Sequence, residues 1–471
     1  MPERRFALQS PVKNIDALVY YSSANQVAAI VPSTTPAGSG TVAVTYNGRT
    51  GNAASISVVQ NNVGLYTVNS QGTGSAVATF PDYSYVTPAN AVNPGEIVIL
   101  WADGLGPIPT DDAQLPVSAD MANVPLEILI GGKTAGVLFR GRSGCCASLD
   151  QINVRIPDGV AGCVTPVVLK IGALVSNTAT IPIAASGRKC TTNDPSTTDV
   201  DFQALIGKNQ AAIGQVALLR STIASFGAGN TIVLTNNDAG SAFFYKYPAP
   251  DLFVLSNVVE LPPPGSCLMT TGQNPSTSNV APPKYLDAGA AITISGPNGV
   301  KLYQKSSTPI VATAYFPDSL GTSYLDAGTY TVSGPGGPDV GSFSAKITFP
   351  KGLVWTNQAN MTSVNRANGA TVSWTGGADA NGLVRISGLA SASTSATSSV
   401  FARFDCVAKG SDGSFTIPPA VLLALPATGD TLGTLTVGNS YNRVPFSAAG
   451  IDHGFIYFGT GGLNLGIVTY R

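Results

Sequence analysis

The phrase Asn25-Gln26-Val27-Ala28-Ala29-Ile30-Val31-Pro32 returns, with substitutions, as Asp150-Gln151-Ile152-Asn153-Val154-Arg155-Ile156-Pro157. The offset is 125 residues, and it holds without a gap for the next 26. Val42 falls on Val167, Val44 on Leu169, Asn52 on Asn177, Ile56 on Ile181 and Val58 on Ile183. The matched positions alternate apolar with polar, the period of half-buried strands. Two copies of one β unit therefore open the chain.

The repeat predicts an all-β protein, and composition agrees. Charged residues make up 11% of the 471, against about 25% in ordinary soluble domains. Glutamate occurs only at Glu3, Glu96, Glu127 and Glu260, so the residues that favour exposed helix faces are scarce. Val, Thr and Ile, which favour pleated surfaces, are plentiful. The length suggests about three domains. The predicted fold class is a tandem of immunoglobulin-like β-sandwich domains with few short helices.

The formal net charge of −1, with only Arg4-Arg5 as a tight basic pair, argues against nucleic acid as a partner. No run approaches the roughly 20 apolar residues of a membrane-spanning helix; Val421 to Leu425 is boxed in by Pro418, Pro419 and Pro426. No secretory h-region follows Met1-Pro2-Glu3-Arg4-Arg5.

The first copy, residues 1–88, looks short. About 55 residues, from Asn93 onward, precede the Gln-Ile-Asn block of the second copy; only 24 precede Asn25. The deficit corresponds to the opening strands of a sandwich, and a sandwich without them presents an edge that invites pairing. Either part of Arg5 to Tyr21 fills the gap, or another chain does.

The second copy, residues 89–190, reads strand by strand. Asn93 to Pro107 reads as a Pro-Gly turn, an alternating strand and a Gly-rich turn. Val124 to Ile130 runs as a strand into a Gly131-Gly132 hairpin turn with Ala135 to Phe139 as its partner. Four blocks carry a resemblance: Gly95, Val98 and Gly104-Leu105-Gly106-Pro107; Ile130-Gly131-Gly132 with Ala135 and Val137-Leu138; Gly144-Cys145-Cys146-Ala147 with Leu149-Asp150-Gln151-Ile152-Asn153; and Val175-Ser176-Asn177 with Ala179-Thr180-Ile181. Over residues 15–190 this resembles a family of secreted Acidobacteria-type proteins bearing paired immunoglobulin-like modules, distantly similar to IPT/TIG domains. The likeness is looser over 200–471. It implies fold and export but no activity, and the short first copy departs from it.

Six cysteines, Cys145, Cys146, Cys163, Cys190, Cys267 and Cys406, form no Cys-x-x-Cys, and one histidine cannot complete a zinc set. An even number in a low-charge β protein reads as disulfides and an oxidising compartment. Export without a visible signal points to a truncated or mature chain. Adjacent cysteines face different sides of a strand or turn, so Cys163 and Cys190 are each expected to bond to one of Cys145 and Cys146. The two crossings, and a Cys163–Cys190 bridge, stay open. Cys406 is expected to reach back to Cys267.

The polar run Thr191 to Val200 marks a boundary, followed by a short helix over Asp201 to Lys208 and strands at Gln215–Arg220, Thr231–Leu234 and Ser241–Tyr247. Six prolines within 262–283 predict a long loop. Tyr285-Leu286-Asp287-Ala288-Gly289 and its echo Tyr324-Leu325-Asp326-Ala327-Gly328 read as matching turns of one sandwich, in which Gly supplies positive φ. A β-sandwich over 191–350 and a C-terminal one over 351–471 complete the expected division. Trp355 and Trp374 read as core anchors of the last. The alternative is a glycan-stacking role, shared with Trp101.

Catalytic constellations are missing. His453, the sole histidine, reads as a turn residue, and no Gly-x-Ser-x-Gly elbow occurs. Asp103, Asp111, Asp112 and Asp120 make a weak calcium candidate, as does Asp379-Ala380-Asn381-Gly382. Gly104 to Pro107 lacks the Lys and Ser/Thr of a phosphate loop. No cofactor is expected. The sequence predicts an extracellular or cell-surface structural protein, not an enzyme, that assembles into a homo-oligomer or filament through its incomplete first sandwich. The alternative is a carbohydrate-binding or adhesion module whose partner is a polysaccharide.

Overall fold

A computed structural model describes residues 4–9, 14–70, 72–114, 118–192, 204–205, 208, 210–226, 232–248, 262–273, 284–307, 313–349, 352–376, 382–395, 398–428, 433–439, 442–461 and 465–471. The chain is an all-β tandem of immunoglobulin-like sandwiches, with one α-helix among the described residues, Pro419–Leu423.

The second copy is a complete sandwich. One sheet runs Gly136–Arg142, Asp150–Arg155, Ile97–Asp103 and then Gly64–Leu65, with Ala78–Thr79 also on Ile97–Asp103. The other runs Lys133–Thr134, Leu126–Ile130, Gly162–Ile171 and Leu174–Val175, with Ala179–Ile183 also on Gly162–Ile171. Their inner faces bury Val98, Leu100, Ile128, Ile152, Val154, Leu169 and Ile181, none of them measurably exposed. Gly64–Leu65 and Ala78–Thr79 belong to this sandwich, so it begins well before the expected boundary at 88. The two-residue turn at Gly131-Gly132, both at positive φ, pairs Ile130 with Lys133, so the hairpin partner is Lys133–Thr134. Gly136–Arg142 crosses to the opposite sheet.

The repeat is visible rung by rung. Gly38–Tyr46, Arg49–Thr50 and Ala54–Val58 stand 125 residues before the strands at 162–171, 174–175 and 179–183, and they pair in the same register except at Gly162, where the second copy has a bulge that the first lacks. Val27–Ile30 likewise matches Asp150–Arg155. The strand before it, Asn14–Ser22, matches Gly136–Arg142 at an offset of 118, with a β-bulge at the same rung: Tyr20 in one copy, Leu138 in the other. The second hairpin is thus seven residues longer. Arg4–Gln9 pairs with Gly38–Tyr46 as Leu126–Ile130 pairs with Gly162–Ile171, so part of the gap is filled from within the chain.

The C-terminal half does not divide at 350. A ten-stranded sheet runs from Phe343–Phe349 through Gly328–Gly334, Ala291–Gly296, Gly299–Lys305, Tyr315–Pro317, Ile232–Pro248, Gln210–Phe226 and His453–Gly461 to Asn442–Phe446, with Lys284–Tyr285 on Ile232–Pro248. Its two ends meet where Phe343 stacks on Phe446 at 4.2 Å. A second sandwich packs Ser266–Gln273, Ser398–Lys409, Leu383–Ser395, Gly433–Asn439, Leu465–Tyr470 and Ser363–Val364 against Val354–Trp355, Ala370–Thr375 and Ser414–Ile417. Asn442–Gly461 therefore returns to the earlier sandwich, and Ser266–Gln273 leaves it for the later one. The loop expected over 262–283 contains that strand. Its prolines lie on either side of it, and the Cys267–Cys406 disulfide bonds it to Ser398–Lys409 at the directly paired rung.

The other disulfides correct the preferred pairing. Cys163 bonds to Cys190, in a buried cluster with Ala91 and Ala184. Cys145 bonds to its neighbour Cys146 in the loop after Gly136–Arg142. The Asp150–Arg155 strand separates the two pairs along the chain and holds them at opposite ends of the module, so no crossing is within reach. His453 is also corrected: it opens the His453–Gly461 strand, nearly buried, with its ring 5.3 Å from that of Phe455. The Asp287 and Asp326 turns behave as read, with Gly289 at φ 108° and Gly328 at φ 153°. Of the expected helix over 201–208, only Ala204, Leu205 and Lys208 are described.

Candidate functional site

The lane beside Val27–Ile30 is the first candidate. In the second copy Asp150–Arg155 lies between Gly136–Arg142 and Ile97–Asp103. In the first, Val27–Ile30 pairs with Asn14–Ser22 alone among the described residues. Gln151 has a strand neighbour on each side, Gly141 and Trp101, whereas its twin Gln26 precedes the Val27–Ile30 strand and pairs with no strand among the described residues. The consequence is read in burial. Ile152, Val154, Ile156, Val167, Leu169, Ile181 and Ile183 are at most 1% exposed. Their twins Val27, Ala29, Val31, Val42, Val44, Ile56 and Val58 all reach solvent, Val31 at 47%. Tyr21, Tyr46 and Val59 are exposed beside them. Covering such side chains is worth on the order of 1 kcal/mol each.

The Gln26 carbonyl accepts the Ser23 N–H, so it points into the hairpin. Backbone groups alternate sides along an antiparallel strand. The N–H groups of Val27, Ala29 and Val31 therefore point into the open lane.

That lane opens onto a crevice of about 360 Å³ between the two modules, lined by Ala29, Val31, Val58, Asp103, Gly104 and Arg142. Ser33 locks the junction: its N–H and hydroxyl both donate to the Asp112 carboxylate (2.6 and 2.8 Å), and its hydroxyl accepts the Ile108 N–H at 3.0 Å. Below lies a buried ion pair. The Arg142 guanidinium meets Asp150 and the Gly106 carbonyl, and Asp150 accepts the Leu105 N–H at 2.9 Å. Burial pushes the Asp103 carboxyl above its ordinary range. It also pushes the Tyr66 hydroxyl, 3.4 Å from Asp103, up to about 12.

A second candidate is the outer face of the Ile97–Asp103 sheet. Trp101 is half-buried; its indole N–H donates to the Thr79 hydroxyl (3.1 Å), and the exposed Tyr83 ring stacks on it at 6.3 Å. Gln151, Asn153 and Arg155 sit on the rungs of Trp101, Ile99 and Ile97. Beyond them runs a groove of about 630 Å³ lined by Phe80, Asp82, Asn90, Glu96, Arg155 and Arg188. The Arg188 guanidinium caps the Phe80 ring at 5.1 Å and pairs with Glu96, which it holds below the ordinary carboxylate range. Tyr83, Tyr85 and these arginines were not singled out from sequence. The signal was the aromatic alternation in Phe80-Pro81-Asp82-Tyr83-Ser84-Tyr85.

The remaining predicted residues separate. Trp355 and Trp374 lie on one rung, each 3% exposed, so neither presents a stacking face; both are core anchors. The calcium candidate disperses. Asp103 faces Tyr66, Asp111 accepts the Ala113 N–H, Asp112 holds Ser33 and Asp120 accepts the Arg140 N–H. Asp379 to Asn381 lie outside the described residues. Among the described residues, no three His, Cys, Asp or Glu side chains gather as a metal site would require, and no helix is long and apolar enough to cross a membrane.

These features define a class: a disulfide-bonded tandem of immunoglobulin-like sandwiches with one module left open. No family model matches the chain, and no curated protein matches it in sequence. Among solved structures it is similar to the Bacteroides ovatus mixed-linkage glucan utilization locus protein SGBP-B in complex with a mixed-linkage heptasaccharide. That match has 10% identity over 88% of this chain and 86% of the other, at a TM-score of 0.17. It is also similar to domains 4–9 of the surface layer protein SbsC (14% identity, 96% of this chain and 57% of the other, TM-score 0.14) and to the I-band fragment I67–I69 of titin (8%, 84% and 98%, TM-score 0.12). The fold class rests on the sheets described above.

Proposed function

We propose that this chain is an extracellular structural protein that self-assembles by strand complementation, its first module accepting a β-strand from a neighbouring copy. One observation carries the reading: seven side chains buried in the second copy have twins that reach solvent in the first, beside a lane whose three N–H groups face no strand among the described residues. Strand addition satisfies the backbone and covers the apolar face in one step. The disulfides suit an oxidising compartment.

Sedimentation velocity over a concentration series tests it. The wild-type chain is expected to form larger species as concentration rises. Ala29→Pro removes an N–H from the open lane while leaving the hairpin bonds, and is expected to stay monomeric. A wild-type chain that sediments as one monomeric species at the highest concentration overturns the proposal.

A second reading attaches to the outer face of the Ile97–Asp103 sheet and the groove beyond it: the Trp101 and Tyr83 rings stack on that face, and Asn90, Arg155 and Arg188 line the groove with amide and guanidinium groups suited to sugar hydroxyls. Under it the groove binds a polysaccharide. Retardation in polysaccharide-containing native gels that Trp101→Ala removes supports it; equal mobility of both proteins in every gel refutes it.

A further inference from the structure

The open side of the first module is wider than one strand. In the second module two arms of chain close the corresponding side. Ile97–Asp103 lies beside Asp150–Arg155, and the stretch before it runs parallel along the outer edge of Ala179–Ile183. There the Thr180 N–H donates to the Gly74 carbonyl, the Thr180 carbonyl accepts the Ala76 N–H, and the Ala184 N–H donates to the Val92 carbonyl, at 2.8, 2.8 and 2.9 Å. The same stretch pairs antiparallel with Ile97–Asp103 through Gly64–Leu65 and Ala78–Thr79, so the two arms cover the side as one unit.

The first module lacks both arms among the described residues. The lane beside Val27–Ile30 is one open edge, and the outer edge of Ala54–Val58 is the other. The Val44 carbonyl accepts the Gly51 N–H, as Leu169 accepts Ser176 in the twin. Val42 and Gly40 therefore also turn their backbone groups toward Ala54–Val58, onto the rungs of Ala54 and Ile56. By alternation Ser55 and Ser57 turn theirs outward, Ser55 as its twin Thr180 does. Ala54 and Ser55 are exposed, whereas Ala179 is fully buried and Thr180 only 3% exposed.

Asn52 indicates what belongs on that edge. The three side-chain hydrogen bonds of its twin Asn177 all reach the covering arm. Oδ1 accepts the Leu65 N–H at 2.7 Å, and Nδ2 donates to the carbonyls of Leu65 (3.0 Å) and Gly72 (2.9 Å). These partners lie 112 and 105 positions away in sequence, whereas an asparagine that serves a turn bonds its own neighbours. By meeting both backbone groups of Leu65, Asn177 takes the place of a strand rung. Asn52 keeps the amide in the same setting, since Arg49–Thr50 and Ala54–Val58 repeat the pairing of the twin. It is exposed and has no hydrogen-bond partner among the described residues.

We infer that the neighbouring copy donates two antiparallel strands rather than one. The first fills the lane beside Val27–Ile30; the second runs parallel to Ala54–Val58 on the outward groups of Ser55 and Ser57, where Asn52 clasps it. The inference rests on the proposal that the first module accepts a strand. A lone strand in the lane would leave the Asn52 amide and the Ser55 and Ser57 N–H groups without a partner, and hydrogen-bonding groups covered in that state are costly. The clasp also sets a requirement on the donor: the residue that takes the place of Leu65 must carry an N–H, so it is not proline.

Hydrogen exchange read by mass spectrometry tests it, by comparing the dilute chain with the assembled fraction. Peptides covering residues 24–33 and 51–60 are both expected to exchange more slowly once assembled. Asn52→Ala should melt at the wild-type temperature, because the side chain is exposed, yet need a concentration about tenfold higher to form the large species seen by sedimentation. Asn52→Asp keeps the acceptor but loses both donations, and should weaken assembly in the same direction. Protection confined to 24–33, or assembly of Asn52→Ala at the wild-type concentration, overturns the clasped two-stranded donor. If Ala29→Pro still blocks assembly in that case, the acceptor reading stands. If neither peptide is protected and Ala29→Pro assembles like the wild type, both fall.

Discussion

Asp150 is wholly buried, with its carboxylate on the Arg142 guanidinium and the Leu105 N–H. Removing one partner of such a pair strands the other charge away from water, which costs about 3–5 kcal/mol. Asp150→Ala is expected to lower the thermal midpoint of the second sandwich by several degrees; a loss under about 1 kcal/mol would show that the pair is not structural. The sequence marked Asp150 as part of the repeat but not as an ion-pair partner. Its twin is Asn25, and Arg142 falls in the seven residues that only the second hairpin has. The same limit dispersed the Asp103 to Asp120 cluster: acids close in sequence sat on a strand end, two loops and a turn, each taken by a different neighbour. Trp355 and Trp374 were legible as core because they sit on alternating strands. Trp101 alone kept a surface, because its side of the strand faces outward.

At the scale of elements, periodicity and repetition located the strands, while their lengths depended on tertiary partners. Gln215–Arg220 was readable because apolar residues dominate it; the rest of the 17-residue strand is defined only by pairing. Ser266–Gln273 was hidden among prolines, and its partner lies more than 120 residues away. Across the strands Leu383–Ser395 and Ser398–Lys409, Arg385 and Arg403 converge on Asp405. Burial alone disfavours the Asp405 charge, but the two guanidinium groups outweigh it and hold the carboxyl below its ordinary range. A carboxyl with a depressed folded-state pKa stabilises the fold above its unfolded value, and that contribution fades as pH falls through the folded one. Asp405→Asn should therefore destabilise the C-terminal sandwich at pH 7, and the difference from wild type should shrink below about pH 4. Parallel acid titrations of both proteins, followed by near-ultraviolet circular dichroism, measure it. A difference that persists unchanged to pH 2 would contradict the assignment.

For the whole molecule, the two halves differ in how they are joined. The first two modules follow one another along the chain, linked through Ser33 and Asp112. The last two exchange strands: Ser266–Gln273 goes forward and Asn442–Gly461 comes back, where it pairs parallel to Gln210–Phe226 over nine rungs. Removing Asn442–Gly461 opens the earlier core, to which Phe446 and Phe458 belong, and removing Ser266–Gln273 opens the later one, to which Cys267 and Met269 belong. The Cys267–Cys406 bond closes a loop spanning 139 residues, and a closure of that length contributes about 5 kcal/mol in the chain-entropy account. The C-terminal half should accordingly melt as a single cooperative transition, and reduction should shift that transition as a unit rather than release one sandwich. A chain ending at residue 350, where the sequence suggested a boundary, lacks Asn442–Gly461 and should fail to fold beyond the second module. Differential scanning calorimetry with and without reductant, joined to limited proteolysis of the shortened chain, separates the alternatives. Two independent C-terminal transitions, or a protease-resistant 191–350 fragment, would show that the exchanged strands do not couple the two cores.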